Sequence, residues 1–261
     1  LLLALTLATL ELYREERGAK IFEQLRLLRD ACRANNGVPV PFGMFEPLAY
    51  VPGLGMVLQS VVPGASLSRF GEHDDWCGAM RRVADNLAAL HDLPASLGEP
   101  KSMADLIRKF CRPGPAALKA DHPELAPWVD HILQRLEAVD PRREGRGDLV
   151  HGDLGLGQIF VTTSRAFFVD FDGLCRSHAA LDVGNFLVSL RMRLGPGSAE
   201  PERIFTERYL ENRPAERLGD LQAYQALAYL RRATTCLRTQ ASPDWRERGE
   251  RLLRTGSGVA S

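Results

Sequence analysis

The chain has 261 residues, of which 45% are hydrophobic and 25% are charged. These proportions are ordinary for a folded globular protein and exclude a largely disordered, collagen-like or coiled-coil chain. Lysine and arginine total 33, as do aspartate and glutamate, so the net charge of zero removes the usual electrostatic argument for nucleic acid as a partner.

The cysteines and the opening residues indicate the setting of the protein. The five cysteines lie far apart and form no Cys-x-x-Cys pair, which is typical of free thiols in a reducing compartment and predicts a cytoplasmic location. The apolar run at residues 1–10 is too short to span a bilayer, so we interpret it as a buried strand and expect no membrane partner. Because the sequence begins with leucine, we expect its natural start to lie upstream.

The first 62 residues are predicted to form a small unit that combines strands with one helix. Apolar side chains recur three or four positions apart in the helical part, and proline and glycine separate the strands. The predicted elements are, in chain order, a strand at 5–13, a helix at 15–32 and two strands at 48–51 and 56–62. Pro63-Gly64 ends the unit and is our candidate hinge.

The remaining residues, 63–261, are predicted to be mainly helical. Apolar stripes at helical spacing indicate helices at 74–91, 102–111, 125–136 and 221–230. Ser102 followed by Asp105 has the spacing of a capping box, which indicates where the second of these helices begins. The last residues, 255–261, are small and polar, so we expect them to fray.

One segment, at residues 148–172, interrupts the helical pattern with two short β-type runs. We predict an antiparallel hairpin centred on Ser164, which would pair 161 with 167, 160 with 168 and 159 with 169. The next pair outward would then bring Gln158 beside Asp170.

The polar residues of this segment suit phosphoryl transfer. The carboxylate of Asp170 and the amide oxygen of Gln158 are hard ligands of the kind that Mg²⁺ prefers. Asp153 precedes them on a glycine-rich loop, where it can orient or deprotonate a hydroxyl nucleophile. A polar hairpin whose aspartates only cap turns would account for the presence of any one of these residues. The occurrence of all of them together favours a role in phosphoryl transfer.

The same residues carry a family resemblance. His151-Gly-Asp153, then Gln158, then Val169-Asp-Phe-Asp172 resembles the catalytic loop and metal-binding strand of the aminoglycoside phosphotransferase/choline kinase family. That family is a small-molecule branch of the protein-kinase-like fold, with the pattern H-G-D-x-x-x-x-N followed by an I-D-[FW]-type strand. Weaker similarities, to the family's hinge, a C-lobe helix and the segment after the metal strand, occur at 58–64, 87–91 and 181–185.

The resemblance covers most of the chain and implies an α+β, bilobal protein-kinase-like fold. A small and incomplete β-rich N-lobe would occupy residues 1–62, and a larger, mainly helical C-lobe would occupy 63–261. The implied activity is that of an ATP-dependent small-molecule kinase that moves the γ-phosphate to a hydroxyl, with ATP and Mg²⁺ as cofactors. The expected partner is a small molecule with a hydroxyl, whereas the acceptor's identity and the oligomeric state are not indicated.

The resemblance also assigns roles to individual residues. Asp153 would be the catalytic aspartate that faces the acceptor hydroxyl, and Asp170 would bind the Mg²⁺ that bridges the ATP phosphates. Gln158 stands where the family usually has asparagine and would be the second metal ligand. The backbone from Gln59 to Val61 would hold the adenine edge.

Other residues are expected to support the site or to lie outside it. His151 would brace the loop rather than take a proton, and Asp182 would fix the loop from the segment after the metal strand. In this family the C-terminal helices usually form the acceptor pocket, but we expect their arginines here to be solvated: Arg191, Arg193, Arg231 and Arg232.

The N-terminal part departs from the family pattern in two ways. It contains no glycine-rich phosphate loop, neither GxGxxG nor GxxxxGK, and we expect that loop to lie upstream of the sequence. The strand before the first helix carries Glu11 where the family has a phosphate-binding lysine. Glu23 would be the partner of that residue, and a Glu11–Glu23 pair would repel where lysine and glutamate attract.

Two alternatives therefore stay open. A kinase-like binding or regulatory module without turnover is consistent with Glu11 and with the missing glycine-rich loop. A metal-dependent phosphohydrolase would use His151, Asp153, Asp170 and Asp172, and would release phosphate from esters without ATP.

Overall fold

The computed structural model describes residues 8–33, 43–93, 97–139, 147–214 and 218–260 of the chain. The strands in these ranges are β1 Ala8–Leu12, β2 Gly43–Met44, β3 Pro47–Val51, β4 Met56–Ser60, β5 Ala65–Ser66, β6 Asp148–Val150, β7 Ile159–Val161, β8 Ala166–Phe168 and β9 Cys175–Ser177. The α-helices are α1 Glu15–Arg33, α2 Trp76–His91, α3 Met103–Phe110, α4 Pro115–Asp121, α5 Ala126–Glu137, α6 Ala180–Leu194, α7 Ala199–Asn212, α8 Leu221–Thr239 and α9 Trp245–Ala260.

The N-terminal unit is an antiparallel sheet in the order β1-β4-β3, against which α1 packs. Ile21, Leu25 and Leu28 form the buried stripe of α1, at the helical spacing seen in the sequence. Phe22 stacks on Tyr50 of β3 with ring centroids 6.2 Å apart. The predicted strand, helix and hairpin are confirmed, although residues 1–7 of the opening run lie outside the described residues.

A second sheet, in the order β2-β8-β7-β5, links the predicted lobes. Its strand β2 comes from the first 62 residues, yet it pairs in parallel with β8. The Gly43 amide donates to the Asn86 side chain of α2 at 2.8 Å. A Cβ at Gly43 would lie 2.5 Å from the Ala166 carbonyl oxygen, so the close approach of these strands requires glycine.

The predicted register of the β7–β8 hairpin is wrong by one residue. The cause is a tighter turn, in which the Thr162 amide donates to the Arg165 carbonyl at 2.9 Å. The Thr162 hydroxyl accepts the amides of Ser164 and Arg165, which fixes a two-residue centre instead of a three-residue one. The observed pairs are Ile159 with Phe168, Phe160 with Phe167 and Val161 with Ala166.

The C-terminal unit is mainly helical, as expected, and the predicted start of α3 at a capping box is confirmed. The capping box of α3 forms: the Ser102 amide donates to the Asp105 carboxylate at 3.0 Å, and the Asp105 amide donates to the Ser102 hydroxyl at 3.2 Å. The side chain of Asp75 caps α2 by accepting the Gly78 amide at 2.7 Å. None of the helices in the described ranges has both the length and the apolar character needed to cross a bilayer.

The expectation that the last residues fray is wrong, because α9 continues to Ala260. This helix packs along α8, and two of its glycines allow the approach. A Cβ at Gly249 would lie 2.6 Å from the Leu237 side chain, and one at Gly256 would lie 2.8 Å from the Tyr229 Cβ. The small residues mark a helix–helix contact instead of a loose chain end.

Gly256→Ala is therefore expected to lower the free energy of unfolding by about 1–3 kcal/mol, because the added methyl would overlap Tyr229. Gly258→Ala is the matched control on the same helix. Nothing lies within 4 Å of a Cβ at Gly258, so the higher helix propensity of alanine should stabilise the protein by up to about 1 kcal/mol. Urea denaturation measures both changes, and a stabilising Gly256→Ala would contradict the close contact.

Candidate active site

A buried carboxylate fixes the glycine-rich loop that carries Asp153. Asp182 in the first turn of α6 is fully buried and accepts the backbone amides of His151 at 2.6 Å and Gly152 at 2.8 Å. Hydrogen bonds to an ionised acceptor are roughly twice as strong as neutral ones, so two consecutive loop residues are firmly held. The expected supporting role of Asp182 is confirmed.

His91, at the end of α2, supports Asp182 in turn. Its Nε2 donates to the Asp182 carboxylate at 3.1 Å, and its Nδ1 accepts the Tyr209 hydroxyl at 2.7 Å. Burial raises the pKa of Tyr209, which keeps this phenol in its donating form. No local pattern indicates this contact, because His91 is separated from its two partners by 91 and 118 residues.

Gly152 brings the catalytic loop against the segment that follows the metal strand. It has a φ of 77°, and a Cβ there would lie 2.2 Å from the Gly173 carbonyl oxygen. Only glycine combines this backbone conformation with so close a contact. The side chain of Asp153, the next residue, is 37% exposed and lines a cavity.

Asp170 lies just beyond β8 in a left-handed conformation, with φ 64° and ψ 62°. Few residues other than glycine adopt this conformation, and those that do are concentrated at functional sites. The Gln158 side-chain amide helps to lower the pKa of the Asp170 carboxyl, so the two predicted oxygen ligands lie near one another. They approach through their side chains, because the Gln158 carbonyl pairs with the Val169 amide in the backbone.

This pair of donors fits a hard cation such as Mg²⁺. Burial, and then the negative charge of Asp172, raises the pKa of Asp170, and a bound cation would relieve that unfavourable charge. Among the described residues, no group of three or more His, Cys, Asp or Glu side chains converges to hold a metal. The remaining ligands would therefore be water and phosphate oxygens, which is the usual arrangement for Mg²⁺.

Asp170→Asn is expected to raise the free energy of unfolding at neutral pH when no divalent cation is present. The raised pKa means that the folded state disfavours the ionised carboxyl. This penalty is full above the folded-state pKa and disappears as the pH falls toward the ordinary carboxyl value. Urea denaturation at neutral pH and near pH 4 should show a gain that shrinks in acid, whereas a loss of stability at neutral pH would contradict a folded state that disfavours the Asp170 charge.

His151 braces the loop against the end of β8, in line with the supporting role expected for it. Its ring lies against Phe171 with centroids 4.9 Å apart, and its Nε2 donates to the Val169 carbonyl at 2.9 Å. The side chain is fully buried, and its Nδ1 has no hydrogen-bond partner among the described residues. A buried imidazole of this kind does not suit the exposed metal ligand that the phosphohydrolase alternative requires.

On the N-terminal side of the site, polar side chains at the end of β1 contact the segment after Asp170. The Tyr13 hydroxyl contacts Glu11 and donates to Asp172 at 2.6 Å. Gln59 donates to Glu11 at 2.9 Å, and Arg17 pairs with Asp172 at 2.8 Å. The acidic residue on β1 therefore accepts a hydrogen bond from the neutral Gln59 amide, while the cation Arg17 of α1 pairs with Asp172.

The predicted Glu11–Glu23 pair is wrong, because both carboxylates have other partners. Glu23 forms an ion pair with Arg26 along α1 at 3.0 Å, whereas Glu11 is bound by Gln59. Two residues of α1 reach the segment after β8: Arg17 pairs with Asp172 at 2.8 Å, and the Gln24 side chain donates to the Leu174 carbonyl at 3.4 Å.

The two predicted nucleotide-binding positions lie at the end of β4. Gln59 is inside this central strand, paired with Thr9 of β1 and with Pro47 of β3. Val61 follows the last residue of the strand, and its side chain is 46% exposed. The backbone of Val61 lies beyond the ladder and is the better placed of the two to meet a ligand.

A cavity of about 560 Å³ opens beside the catalytic loop. Asp153 and Gln158 form one wall, and residues of α6, α8 and α9 form the others. This volume is typical of sites for small molecules. The helical walls are formed largely by Ser189, Met192, Arg231, Arg232, Thr235, Cys236, Thr239, Arg248 and Leu252.

The expectation that the arginines of the C-terminal helices are solvated is wrong for Arg191, Arg231 and Arg232, which are partly buried, whereas Arg193 is exposed as expected although it also contacts the protein. Their partners come from other elements or from a neighbouring turn, so helical spacing alone could not identify them. Arg191 pairs with Glu202, Arg193 donates to the Phe70 carbonyl, Arg231 pairs with Asp153, and Arg232 donates to the carbonyls of Ala228 and Asn185.

The fold is similar to several solved structures. A choline/ethanolamine kinase family protein from Mesorhizobium loti is 18% identical, with a TM-score of 0.65 over 97% of this chain and 82% of that chain. The aminoglycoside phosphotransferase of Streptomyces rimosus solved with ADP and streptomycin is 19% identical, with a TM-score of 0.59 over 85% and 87%. APH(2")-IIia, solved with GDP and kanamycin, is 15% identical, with a TM-score of 0.66 over 97% and 87%.

These likenesses confirm the expected bilobal kinase-like fold. No match to a curated protein was found. A family model described as "Phosphotransferase enzyme family" matches residues 5–225, which extend from the N-terminal sheet into α8. Since that model covers most of the chain, the protein belongs to the phosphotransferase enzyme family.

Proposed function

We propose that this chain transfers the γ-phosphoryl group of ATP to a hydroxyl of a small molecule. One observation carries the proposal: Asp153 and Gln158 line the same cavity, and the Gln158 amide lies near enough to Asp170 to help lower the pKa of its carboxyl. An acceptor for a hydroxyl proton thus lies beside oxygen donors that suit a metal–phosphate complex. In the reaction the acceptor oxygen bonds to the γ-phosphorus, the bond from the γ-phosphorus to the β-phosphate oxygen breaks to release ADP, and the hydroxyl proton passes to Asp153.

Asp170 and Gln158 are the residues that would hold Mg²⁺. When bound, the ion would neutralise charge on the nucleotide phosphates. Gln158 is one methylene longer than asparagine and keeps the amide oxygen that a hard cation needs.

Asp153 would accept a hydrogen bond from the acceptor hydroxyl and orient its oxygen toward the γ-phosphorus. Most of the rate enhancement in phosphoryl transfer comes from positioning and electrostatic stabilisation. The loop behind Asp153 is already fixed by Asp182, so little reorganisation is needed when the substrate binds.

We place the nucleotide between the lobes, with its base edge on the backbone from Gln59 to Val61. Structural neighbours solved with ADP and with GDP support a purine nucleotide site. ATP is the donor that the sequence resemblance implies. The five cysteines are free thiols, which supports the cytoplasmic location proposed from the sequence.

Glu11 favours one alternative, a nucleotide-binding module without turnover. It occupies the strand position where the resemblance places a phosphate-binding lysine, and it is bound by Gln59 and Tyr13. Asp172, which follows β8, forms an ion pair with the cation Arg17 of α1. Such a module would bind nucleotide without forming ADP.

Formation of ADP from ATP and Mg²⁺ separates the two functions, because water can replace an unidentified acceptor. We expect slow ADP formation by the chain alone and faster formation with some members of a panel of small alcohols. Mass spectrometry should then find the phosphoryl group on the alcohol. Nucleotide binding with no ADP formed under any condition would contradict the proposed transfer and favour the binding module.

A further inference from the structure

The cavity beside Asp153 is rich in positive charge. The ionisable acids and bases of its wall are one carboxylate, Asp153, and three guanidinium groups, those of Arg231, Arg232 and Arg248. Three positive charges against one negative charge leave the described wall with a net charge of +2. Low-dielectric walls of one charge sign concentrate ligands of the opposite sign.

Arg232 is a partly buried cation whose direct hydrogen bonds, among the described residues, all go to neutral acceptors, although the nearby charge of Asp153 acts on it. Its donors bind the Ala228 carbonyl at 3.0 Å, the Asn185 carbonyl at 3.2 Å and the Ser189 hydroxyl at 2.5 Å, all of which are neutral. Burial, and then the charge of Arg231, lowers the pKa of Arg232 to about 10. Removing a charge from water is costly unless it is paired, so this wall of the cavity is arranged for an anion that the chain itself does not supply.

Arg231 forms an ion pair with the carboxylate of Asp153. Its guanidinium also lies over the Phe110 ring, 4.7 Å from the centroid. This ion pair competes with an acceptor hydroxyl for the same carboxylate. A second anion in the cavity would give Arg231 another partner and leave Asp153 free to orient the hydroxyl.

From these contacts we infer that the acceptor is an alcohol that also carries an anionic group, a carboxylate or a phosphate, bound by Arg231 and Arg232. Guanidinium groups match both kinds of anion, because their parallel N–H donors fit two oxygens at once. Cationic alcohols meet like charge in this cavity. The role of the bound alcohol as the phosphoryl acceptor rests on the proposed function, whereas the anion site itself does not depend on turnover.

The test measures anion binding to the full chain without nucleotide. Thermal unfolding at constant ionic strength should show that inorganic phosphate stabilises the wild type more than chloride does. We expect Arg231→Gln and Arg232→Gln to lose this difference and Arg232→Lys to keep part of it. Arg238→Gln, an exposed position of α8 outside the cavity, is the matched control and should behave as the wild type. Equal stabilisation in all of these proteins would overturn the inference.

A second arm identifies the kind of anion. Glucuronate, glucose 6-phosphate, glucose and glucosamine share one ring and differ in charge, and ADP formation is measured with each. We expect glucuronate or glucose 6-phosphate to give a kcat/KM at least about tenfold above that of glucose, with the difference lost in Arg231→Gln. A preference for glucosamine would overturn the inference and leave the proposed transfer intact. Arginine-dependent phosphate binding with no ADP formed would instead contradict the proposed transfer alone.

Discussion

Asp153→Asn is expected to lower phosphoryl transfer by about 10²–10⁴-fold while the protein stays folded. The asparagine keeps the size of the side chain but cannot take the hydroxyl proton or accept with the same strength. Asp153 is 37% exposed, and its ion pair with Arg231 is worth about 0–1 kcal/mol, so stability should change little. Initial rates of ADP formation, together with urea denaturation of the same samples, measure both effects.

The control for this variant is Asp121→Asn, at an exposed position that does not line the cavity. It should transfer phosphate at the wild-type rate. Wild-type rates in Asp153→Asn would show that another group orients the hydroxyl and would contradict the proposed role of Asp153. Because the variant also releases Arg231, we expect phosphate binding in the cavity to be retained.

Asp182→Ala is expected to lower the free energy of unfolding by about 3–5 kcal/mol. The carboxylate accepts the amides of His151 and Gly152 and the Nε2 of His91, and the alanine would leave these buried donors without a partner. Urea denaturation measures the loss, with Asp121→Ala as the exposed control. A loss below about 1 kcal/mol would mean that the loop is held by other contacts.

Activity should fall with Asp182→Ala even where the protein remains folded. The loop would lose the two backbone contacts that precede Asp153, so this carboxylate would no longer be preorganised. We therefore expect a fall in kcat at temperatures well below the unfolding transition. This second readout separates the positioning role of Asp182 from a general effect on stability.

Local signals in the sequence were sufficient to predict most helices and strands of the fold. The apolar stripe of α1, the turn between β3 and β4 and the capping box at Ser102 each depend on residues close together in the chain. The block that we propose to be catalytic could also be proposed from local sequence, because Asp153 and Gln158 come just before β7 and Asp170 comes just after β8. Such features need no knowledge of distant contacts.

The features that the sequence did not reveal depend on distant or subtle contacts. The hairpin register was decided by one hydroxyl, that of Thr162, which closes a tighter turn. The small residues at the end of the sequence suggested fraying, but Gly249 and Gly256 of α9 face α8 and allow the two helices to pack closely. Because Arg232 is charged, its side chain was expected to be exposed to solvent. Its contacts with the Asn185 carbonyl and the Ser189 hydroxyl instead place it in the cavity wall.

Thermal unfolding with ATP, with and without Mg²⁺, on the wild type and on Asp170→Asn tests the metal–nucleotide site most directly. A ligand at one hundred times its dissociation constant stabilises a protein by about 2.7 kcal/mol, which is readily measured. We predict a Mg²⁺-dependent stabilisation by ATP in the wild type and in Asp121→Ala, and its loss in Asp170→Asn. Equal stabilisation of the wild type and Asp170→Asn, or none in either, would contradict a metal–nucleotide site at the end of this hairpin.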